Sequence, residues 1–296
     1  MHAASPPASI DPAALSHLQS WVGKTETLND QVTAVPARAL SATLDLPLLD
    51  AAPGMPLPPL WHWLYFLPLY RRSELGSDGH AKLGGFLPPV PLPRRMWAGG
   101  RLRWFAENPV AIGDAVRRVS RIASVTHKAG RTGDLLFVLV SHEIHNAKGL
   151  AITEEHDIVY RAAARPGDPA PAPVAAQQGA AWQREITPDD VLLFRYSALT
   201  FNGHRIHYDR RYVTEVEGYP GLVVHGPLLA TLLADLVRQH APKAFMRSFE
   251  FKAVRPTFDL HPFRVNAQAA PDGKTVRLWS QDHEGWLTMQ ASAELA

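Results

Sequence analysis

The fold is decided by the stretch Tyr196-Ser-Ala-Leu-Thr-Phe-Asn-Gly-His-Arg-Ile-His-Tyr-Asp209 and by the segment Gly221-Leu-Val-Val-His-Gly-Pro227 that soon follows it. The first segment places two histidines and an asparagine in a short polar turn after an apolar run. The second places a His-Gly pair before the apolar stretch 228–237, and its proline suits the first turn of a helix. Apolar residues in 228–237 recur at helical spacing over a wide face, which predicts a helix wrapped by a sheet.

These two segments would bring bases and backbone donors together. Histidine titrates near neutral pH, so it can take a proton from water or from a carbon atom. The start of a helix offers N–H groups without partners and the positive end of the helix dipole. This combination is what chemistry through the enolate of a carbonyl compound needs.

Both segments resemble the MaoC-like hydratases, a family of hotdog-fold enzymes that add water to enoyl thioesters or remove it from 3-hydroxyacyl thioesters. The family element reads roughly Ser-Gly-Asp-x-Asn-Pro-x-His, and its helix begins with His-Gly. Ile206-His207-Tyr208-Asp209 fits the end of that element, and His225-Gly226 fits the helix start. The string 198–207 is similar to one branch, which holds mitochondrial-type 3-hydroxyacyl-thioester dehydratases and mesaconyl-C4-CoA or itaconyl-CoA hydratases. Pro91–Gly100 also resembles the N-terminal half of that branch.

The resemblance and the order of elements predict an α+β double hotdog, in which two antiparallel sheets each wrap a central helix and join edge to edge. An Ala-, Pro- and Gly-rich segment at 162–183 reads as a linker between an N-terminal hotdog at 1–161 and a catalytic hotdog at 184–296. The expected helices are 16–21, 31–44 and 227–240, and 191–199 is a strand or a short helix. The expected strands are 97–105, 115–127, 135–144, 150–160, 245–254, 263–270, 275–281 and 286–295, with a helix at 114–123 as the alternative reading there.

Composition limits the classes of function. The 296 residues contain 46% hydrophobic and 20% charged residues, which describes a globular protein large enough for two domains. The chain has no cysteine, and its net charge of +2 does not indicate a nucleic-acid-binding surface. Residues 1–12 lack the pattern of a secretory signal, and the apolar window 56–69 is broken by prolines and too short for a bilayer. We therefore expect a cytoplasmic protein that binds neither nucleic acid nor membrane.

His207 is the first candidate for the catalytic base. Asn202 lies five residues before it, where the family usually has aspartate. Asparagine is not a base, but it can donate to and accept from an attacking water. The sequence leaves two interpretations of Asn202 open, a water-positioning residue and a plain turn residue. In the first, His207 handles both proton steps or shares them with His204.

Further candidates follow from the same motif. The resemblance implies that the Gly226 N–H stabilises the enolate oxygen, and His225 is expected to orient that loop. Arg205 lies between the two motif histidines and is expected to bind a substrate carboxylate, while the coenzyme A phosphates or a carboxylate could be met by Arg94, Arg95, Arg210 and Arg211. We expect no metal, because His204-x-x-His207 has no third ligand at useful spacing. In a strand, the two imidazoles of His142-x-x-His145 would face opposite ways.

The predicted function is a hydro-lyase that acts on a 2-enoyl or 3-hydroxyacyl thioester, with mesaconyl-C4-CoA giving citramalyl-CoA as the expected reaction. One alternative is an (R)-specific 3-hydroxyacyl-CoA or acyl-carrier-protein dehydratase of fatty-acid metabolism. Another is a non-catalytic hotdog subunit that binds acyl thioesters, and a thioesterase is a third. No cofactor is expected, since coenzyme A enters as part of the substrate, and a homodimer of double hotdogs is a possible assembly.

Overall fold

The computed structural model describes residues 10–130, 133–162 and 172–296, and its central feature is one antiparallel sheet of ten strands. The N-terminal half contributes the helices α1 (Pro12–Gln19) and α2 (Ala34–Thr43) and the strands β1 (Thr25–Gln31), β2 (Arg94–Trp104), β3 (Ala115–Gly130), β4 (Gly133–Asn146) and β5 (Gly149–Arg161). The C-terminal half contributes β6 (Trp182–Ile186), α3 (Asp190–Leu199), α4 (Arg210–Glu215), α5 (Gly226–His240), β7 (Met246–Ala253), β8 (Phe263–Ala269), β9 (Thr275–Gln281) and β10 (Leu287–Leu295).

The strand order is β1-β3-β4-β5-β2-β7-β10-β9-β8-β6, so each half forms five neighbouring strands. The halves meet where β2 pairs antiparallel with β7, from Gly99 opposite Lys252 to Arg103 opposite Ser248. A Cβ atom at Gly99 would lie 2.5 Å from the carbonyl oxygen of Phe251, so this junction requires a residue without a side chain. Joining the two sheets in this way removes one free edge from each.

Helix α5 is the central helix of the C-terminal half and packs on β7, β8, β9 and β10. All ten residues from Leu228 to Val237 are buried, including the polar Thr231 and Asp235. Because the apolar residues cover most of the helix circumference, the curved sheet can enclose it and fix its N-terminus at one end of the core. The predicted helix at 227–240 is confirmed.

The four C-terminal strands predicted after α5 are confirmed within about two residues. The segment 191–199 is a helix, and residues 115–123 belong to the strand β3. The predicted helix at 31–44 is shorter than expected, because residues up to Gln31 form β1, and α2 has only ten residues. The strands β1 and β6 were not predicted.

The predicted linker at 162–183 lies partly outside the described residues, which omit 163–171. Its end is ordered, because β6 begins at Trp182 and pairs with β8. The domain boundary stays a prediction. Among the described residues, the helices are too short or too polar to cross a membrane.

Candidate active site

His207 lies in a single turn of 3-10 helix, Arg205–His207, and its ring contacts that of His225, the residue before α5. Its Nδ1 atom lies 2.6 Å from the carbonyl oxygen of Val223, in the second of the two sequence segments. A carbonyl can only accept a hydrogen bond, so Nδ1 carries the proton and Nε2 keeps its lone pair. The main chain continues this link, since the Val223 N–H donates to the Ile206 carbonyl over 3.0 Å. The fold therefore brings the two segments together and presents His207 as a neutral base.

His225 packs against the catalytic candidate. The two imidazole rings stack with centroids 3.8 Å apart and planes inclined by 18°. His225 is fully buried, and its Nε2 atom hydrogen bonds with the Ser197 hydroxyl on α3 over 2.8 Å. His225 thus lies between His207 and α3, and its expected role in orienting the loop stays a prediction.

Gly226, which follows His225, is the first residue of α5, and no side chain caps the helix there. An ideal Cβ atom at Gly226 would meet no atom within 4 Å, so the space beside its Cα atom is open. The N–H groups of a first helical turn have no partner within the helix. This N–H group can therefore donate to an oxygen bound beside the stacked histidines.

Asn202 and His204 form the turn that precedes His207. The Asn202 Oδ1 atom accepts the His204 N–H over 3.0 Å, which fixes the turn and leaves the amide NH2 group of Asn202 as a donor. The ring of His204 stands edge-on to His207, with centroids 5.4 Å apart. Both interpretations of Asn202, turn residue and donor to water, are compatible with this geometry.

A turn from the N-terminal half, which was not predicted from the sequence, covers this loop. Residues 76–80 form the tip of a small hairpin in which Leu75 bridges to Ala81. The Asp78 carbonyl accepts the Arg205 N–H over 2.9 Å. A Cβ atom at Gly79 would lie 1.8 Å from the Gly203 carbonyl oxygen, and Gly79 has a φ angle of +89°, so this position requires glycine.

The turn carries His80 onto the ring of His204, with centroids 3.9 Å apart. The His80 Nδ1–H group donates to the Asp78 carboxylate over 3.0 Å. Possible ligand atoms of Asp78, His80 and His204 all lie within 4.8 Å of one another, so these residues could hold a metal ion. We expected no third ligand near His204 because none lies close to it along the chain. The fold brings Asp78 and His80 to His204 from a distant part of the sequence.

Four imidazoles therefore stand side by side in the order His80, His204, His207 and His225, and we call them the histidine row. Burial lowers the pKa of His207 to about 4, although its bond to the Val223 carbonyl partly opposes this. Burial, together with the neighbouring histidines, lowers the pKa of His204 to about 2 and that of His225 well below its usual range. The hydrogen bond from His80 lowers the pKa of Asp78, so this carboxylate is ionised. The row is neutral at neutral pH.

Arg205 is already engaged by the protein. Its guanidinium donates to the Asp209 carboxylate at 2.8 and 3.0 Å and to the Ser77 carbonyl over 3.0 Å. It also lies 4.1 Å above the ring of Tyr212. These contacts join the 76–80 turn to the catalytic loop and give Arg205 a structural task.

The other arginine candidates differ in what they contact. Arg210 bonds to the carboxylates of Asp190 and Asp259, and Arg211 pairs with Glu215 at the surface. Arg94 donates to the Glu217 carbonyl, which links the two halves.

In the described part of the chain no carboxylate forms an ion pair with Arg95, and its charge lowers the pKa of both His80 and His204. The charge of Arg95 therefore acts on the histidine row, as it also acts on Tyr160 and Tyr70.

The second His-x-x-His motif lies in β4, away from this site. His142 is buried and bonds to the Ser120 hydroxyl over 2.8 Å, whereas His145 pairs with Glu143 at the surface. The opposite environments follow from the alternation of side chains in a strand.

The fold and the site define a hotdog enzyme of the hydratase and dehydratase class. The chain belongs to the family described as hydroxyacyl-thioester dehydratase type 2, which it matches over residues 60–259. This identification confirms the prediction of a hydro-lyase acting on an acyl thioester and the resemblance to MaoC-like hotdog enzymes.

Individual relatives agree with this identification. The chain is 47% identical over 279 residues to a mesaconyl-C4-CoA hydratase of Chloroflexus aurantiacus, covering 93% of this chain and 97% of the relative. A solved MaoC-like dehydratase matches with a TM-score of 0.68 at 15% identity, over 94% of this chain and 99% of its own. A Mycobacterium tuberculosis protein described as a double hotdog matches with a TM-score of 0.50 at 14% identity, over 93% of this chain and 96% of its own. The predicted double-hotdog fold is confirmed.

Proposed function

We propose that this protein hydrates mesaconyl-C4-CoA, a short, branched dicarboxylic acyl thioester, to citramalyl-CoA. The observation that carries the proposal is the 47% identity, over nearly the whole chain, to a relative named for that activity. The neutral His207 beside the open N-terminus of α5 supplies the groups that such a reaction needs.

In the proposed reaction, His207 Nε2 takes a proton from a water molecule. The water oxygen bonds to C3 of the substrate, and the electron pair of the C2=C3 bond moves into the thioester to form an enolate. The Gly226 N–H donates to the enolate oxygen; a donor of this kind contributes roughly 3–4 kcal/mol in related acyl chemistry. The imidazolium of His207 then returns its proton to C2, which regenerates the neutral base.

Asn202 and His225 serve this step without carrying the proton. The Asn202 amide NH2 group donates to the attacking water, while its oxygen stays on the His204 N–H. His225 keeps the ring of His207 in its plane through the stacked contact and the bond to Ser197. No cofactor is needed, because coenzyme A enters as part of the substrate.

Arg95 is our proposed partner of the free substrate carboxylate. Arg205 was the expected partner from sequence, but its guanidinium already pairs with Asp209 and stacks on Tyr212. The charge of Arg95 lowers the pKa of His80 and of His204. Within the described residues, no ion pair neutralises this charge. A carboxylate bound there would satisfy a cation that otherwise lacks a counter-charge.

The substrate proposal is tested by kcat/KM for mesaconyl-C4-CoA, itaconyl-CoA and crotonyl-CoA, measured on the wild type, Arg95→Met and Arg205→Met. We expect the wild type to favour mesaconyl-C4-CoA over crotonyl-CoA by at least about tenfold, since a site built to pair a charge discriminates strongly against a substrate that lacks it. Arg95→Met should abolish that preference and leave crotonyl-CoA turnover nearly unchanged. Equal wild-type values for the two substrates would contradict the proposal.

The family description keeps one alternative open, a 3-hydroxyacyl-thioester dehydratase of fatty-acid metabolism. That enzyme would prefer crotonyl-CoA and longer chains, and it would be indifferent to Arg95→Met. The cytoplasmic location and the homodimer of double hotdogs remain proposals. The homodimer is tested by the mass of the protein in solution.

A further inference from the structure

The active site contains the histidine row. In the family element that this segment resembles, a carboxylate lies five residues before the catalytic histidine, and this site lacks it. Asn202 occupies that position. When His207 takes the proton of water, a positive charge enters a buried row of imidazoles, and burial opposes such a charge. A fixed carboxylate near the row would lower this cost, as the buried aspartate of a Ser-His-Asp triad does.

The N-terminal half delivers a carboxylate to this row. The Asp78 side chain accepts both the His80 Nδ1–H and the His80 backbone N–H, each over 3.0 Å. Two acceptor contacts to one residue fix the carboxylate and the ring together. His80 in turn lies face to face with His204, and nitrogen atoms of both rings lie within 4.8 Å of an Asp78 oxygen.

The turn is built to dock at this place. The Asp78 and Ser77 carbonyl oxygens accept from the Arg205 main chain and guanidinium, and Gly79 presses against the Gly203 carbonyl at a distance that excludes any side chain. Arg205 is fixed on its other side by Asp209. The contact therefore joins the two halves of the chain through backbone groups, independently of the Asp78 and His80 side chains.

We propose that Asp78 and His80 belong to the active site as positioning residues: they hold the ring of His204 and supply the counter-charge that Asn202 cannot supply. The proton of the attacking water still goes to His207 Nε2, and it still returns to C2 of the substrate. The ionised Asp78 favours a positive charge at His204, the ring that stands edge-on to His207, between these two steps. No additional reactant is required.

This inference rests on the proposed hydration and is tested with Asp78→Asn and His80→Gln. We expect each variant to lower kcat by about 10- to 100-fold, less than the loss of the group that transfers the proton itself, with KM changed less than about threefold. The double variant should be no worse than the worse single variant, because the two residues act as one unit. Asn at position 78 can still accept the His80 backbone N–H, so the turn should keep its shape.

Rescue separates a charge effect from a merely structural one. Adding Asn202→Asp to Asp78→Asn restores a carboxylate on the other side of the row, and the new side chain can still accept the His204 N–H. We expect this double variant to regain at least about fivefold in kcat over Asp78→Asn alone. A structural role of Asp78 predicts no such recovery.

Glu143 and His145 provide the matched control, because they form a carboxylate–histidine pair with the same spacing at the surface of β4. Glu143→Gln and His145→Gln should leave kcat within twofold of the wild type. Unfolding temperatures of all variants are measured alongside. If the turn unfolds in Asp78→Asn, the kcat of His80→Gln alone tests the inference, because that variant keeps the main-chain contacts of Asp78.

Three outcomes would overturn the inference. The first is a kcat of Asp78→Asn and His80→Gln within twofold of the wild type, and the second is a loss without recovery on adding Asn202→Asp. The third is wild-type activity that a chelator abolishes and Zn²⁺ restores, which would make the three residues a metal site. The proposed function fails separately, when the wild type does not hydrate mesaconyl-C4-CoA; the variants are then compared on whichever enoyl-CoA it does hydrate.

Discussion

The imidazole of His225 lies flat on the imidazole of His207, 3.8 Å away between ring centroids, while its Nε2 atom bonds to the Ser197 hydroxyl. The catalytic candidate is thus oriented by a residue that is itself anchored to α3. Since His225 and Gly226 are adjacent, the same anchor also fixes the start of α5.

Ser197→Ala and His225→Gln should each lower kcat by about tenfold, because a loosened His207 ring spends less time in line with the water. The combined loss should be smaller than the product of the single losses, because both variants break one connection. Stopped-flow or steady-state hydration kinetics check this. Fully multiplicative losses would show that Ser197 and His225 act independently.

His207→Ala should lower kcat by at least about 100-fold, the typical contribution of a positioned acid–base group. Asn202→Ala should cost less, because Asn202 positions water but carries no proton, and the lost Oδ1 contact to the His204 N–H loosens only the turn. The measurement is kcat on the same substrate for both variants. A larger loss for Asn202→Ala than for His207→Ala would overturn the assigned roles.

The free energy of unfolding should fall as the pH is lowered from about 6.5 to about 4. Burial holds the pKa of His207 near 4 in the folded chain, against 6.5 for an ordinary histidine. Within that window the unfolded chain binds more protons than the folded chain, so acid favours unfolding, and His207 alone contributes about 3 kcal/mol. Urea unfolding at several pH values measures the slope of the free energy of unfolding against pH. His207→Gln should flatten it, and an unchanged slope in that variant would contradict the neutral, buried state of His207.

The junction between the two sheets should not tolerate a side chain at Gly99. A Cβ atom there would lie 2.5 Å from the Phe251 carbonyl oxygen on the paired strand, and backbone atoms cannot move aside cheaply. Gly99→Ala should destabilise the protein by about 1–3 kcal/mol, the usual cost of overpacking. Gly85→Ala is the control, because its Cβ would meet nothing within 4 Å. Equal midpoints of chemical unfolding for the two variants would argue against the β2–β7 junction.

The sequence predicted the elements whose pattern is local. Helix α5 was evident because Leu228, Leu232 and Leu236 repeat with the helical period, and Pro227 marks its start. The strand β1 was missed because Thr25–Gln31 reads Thr-Glu-Thr-Leu-Asn-Asp-Gln, which has a single apolar residue. Its place in the sheet comes from pairing with β3, about ninety residues away, and not from its own side chains.

The residues of the candidate site differ in the same way. His207, His225 and Gly226 followed from two neighbouring segments, and the fold joins those segments through Val223. Asp78 and His80 could not be found in this way, because about 125 residues separate them from His204 along the chain. The one local signal was Asp78-Gly79-His80, a turn sequence that says nothing about what the turn touches.

The most direct test of the central claim is to mix the enzyme with mesaconyl-C4-CoA in water enriched in ¹⁸O and to follow the product. We predict that the ultraviolet band of the enoyl thioester disappears, that the thioester stays intact, and that the hydroxyacyl product carries one ¹⁸O atom at C3. Release of the coenzyme A thiol with the double bond retained would identify a thioesterase instead. Tight binding with an unchanged spectrum would identify a non-catalytic subunit, and either result would contradict the account of His207 as the base that activates water.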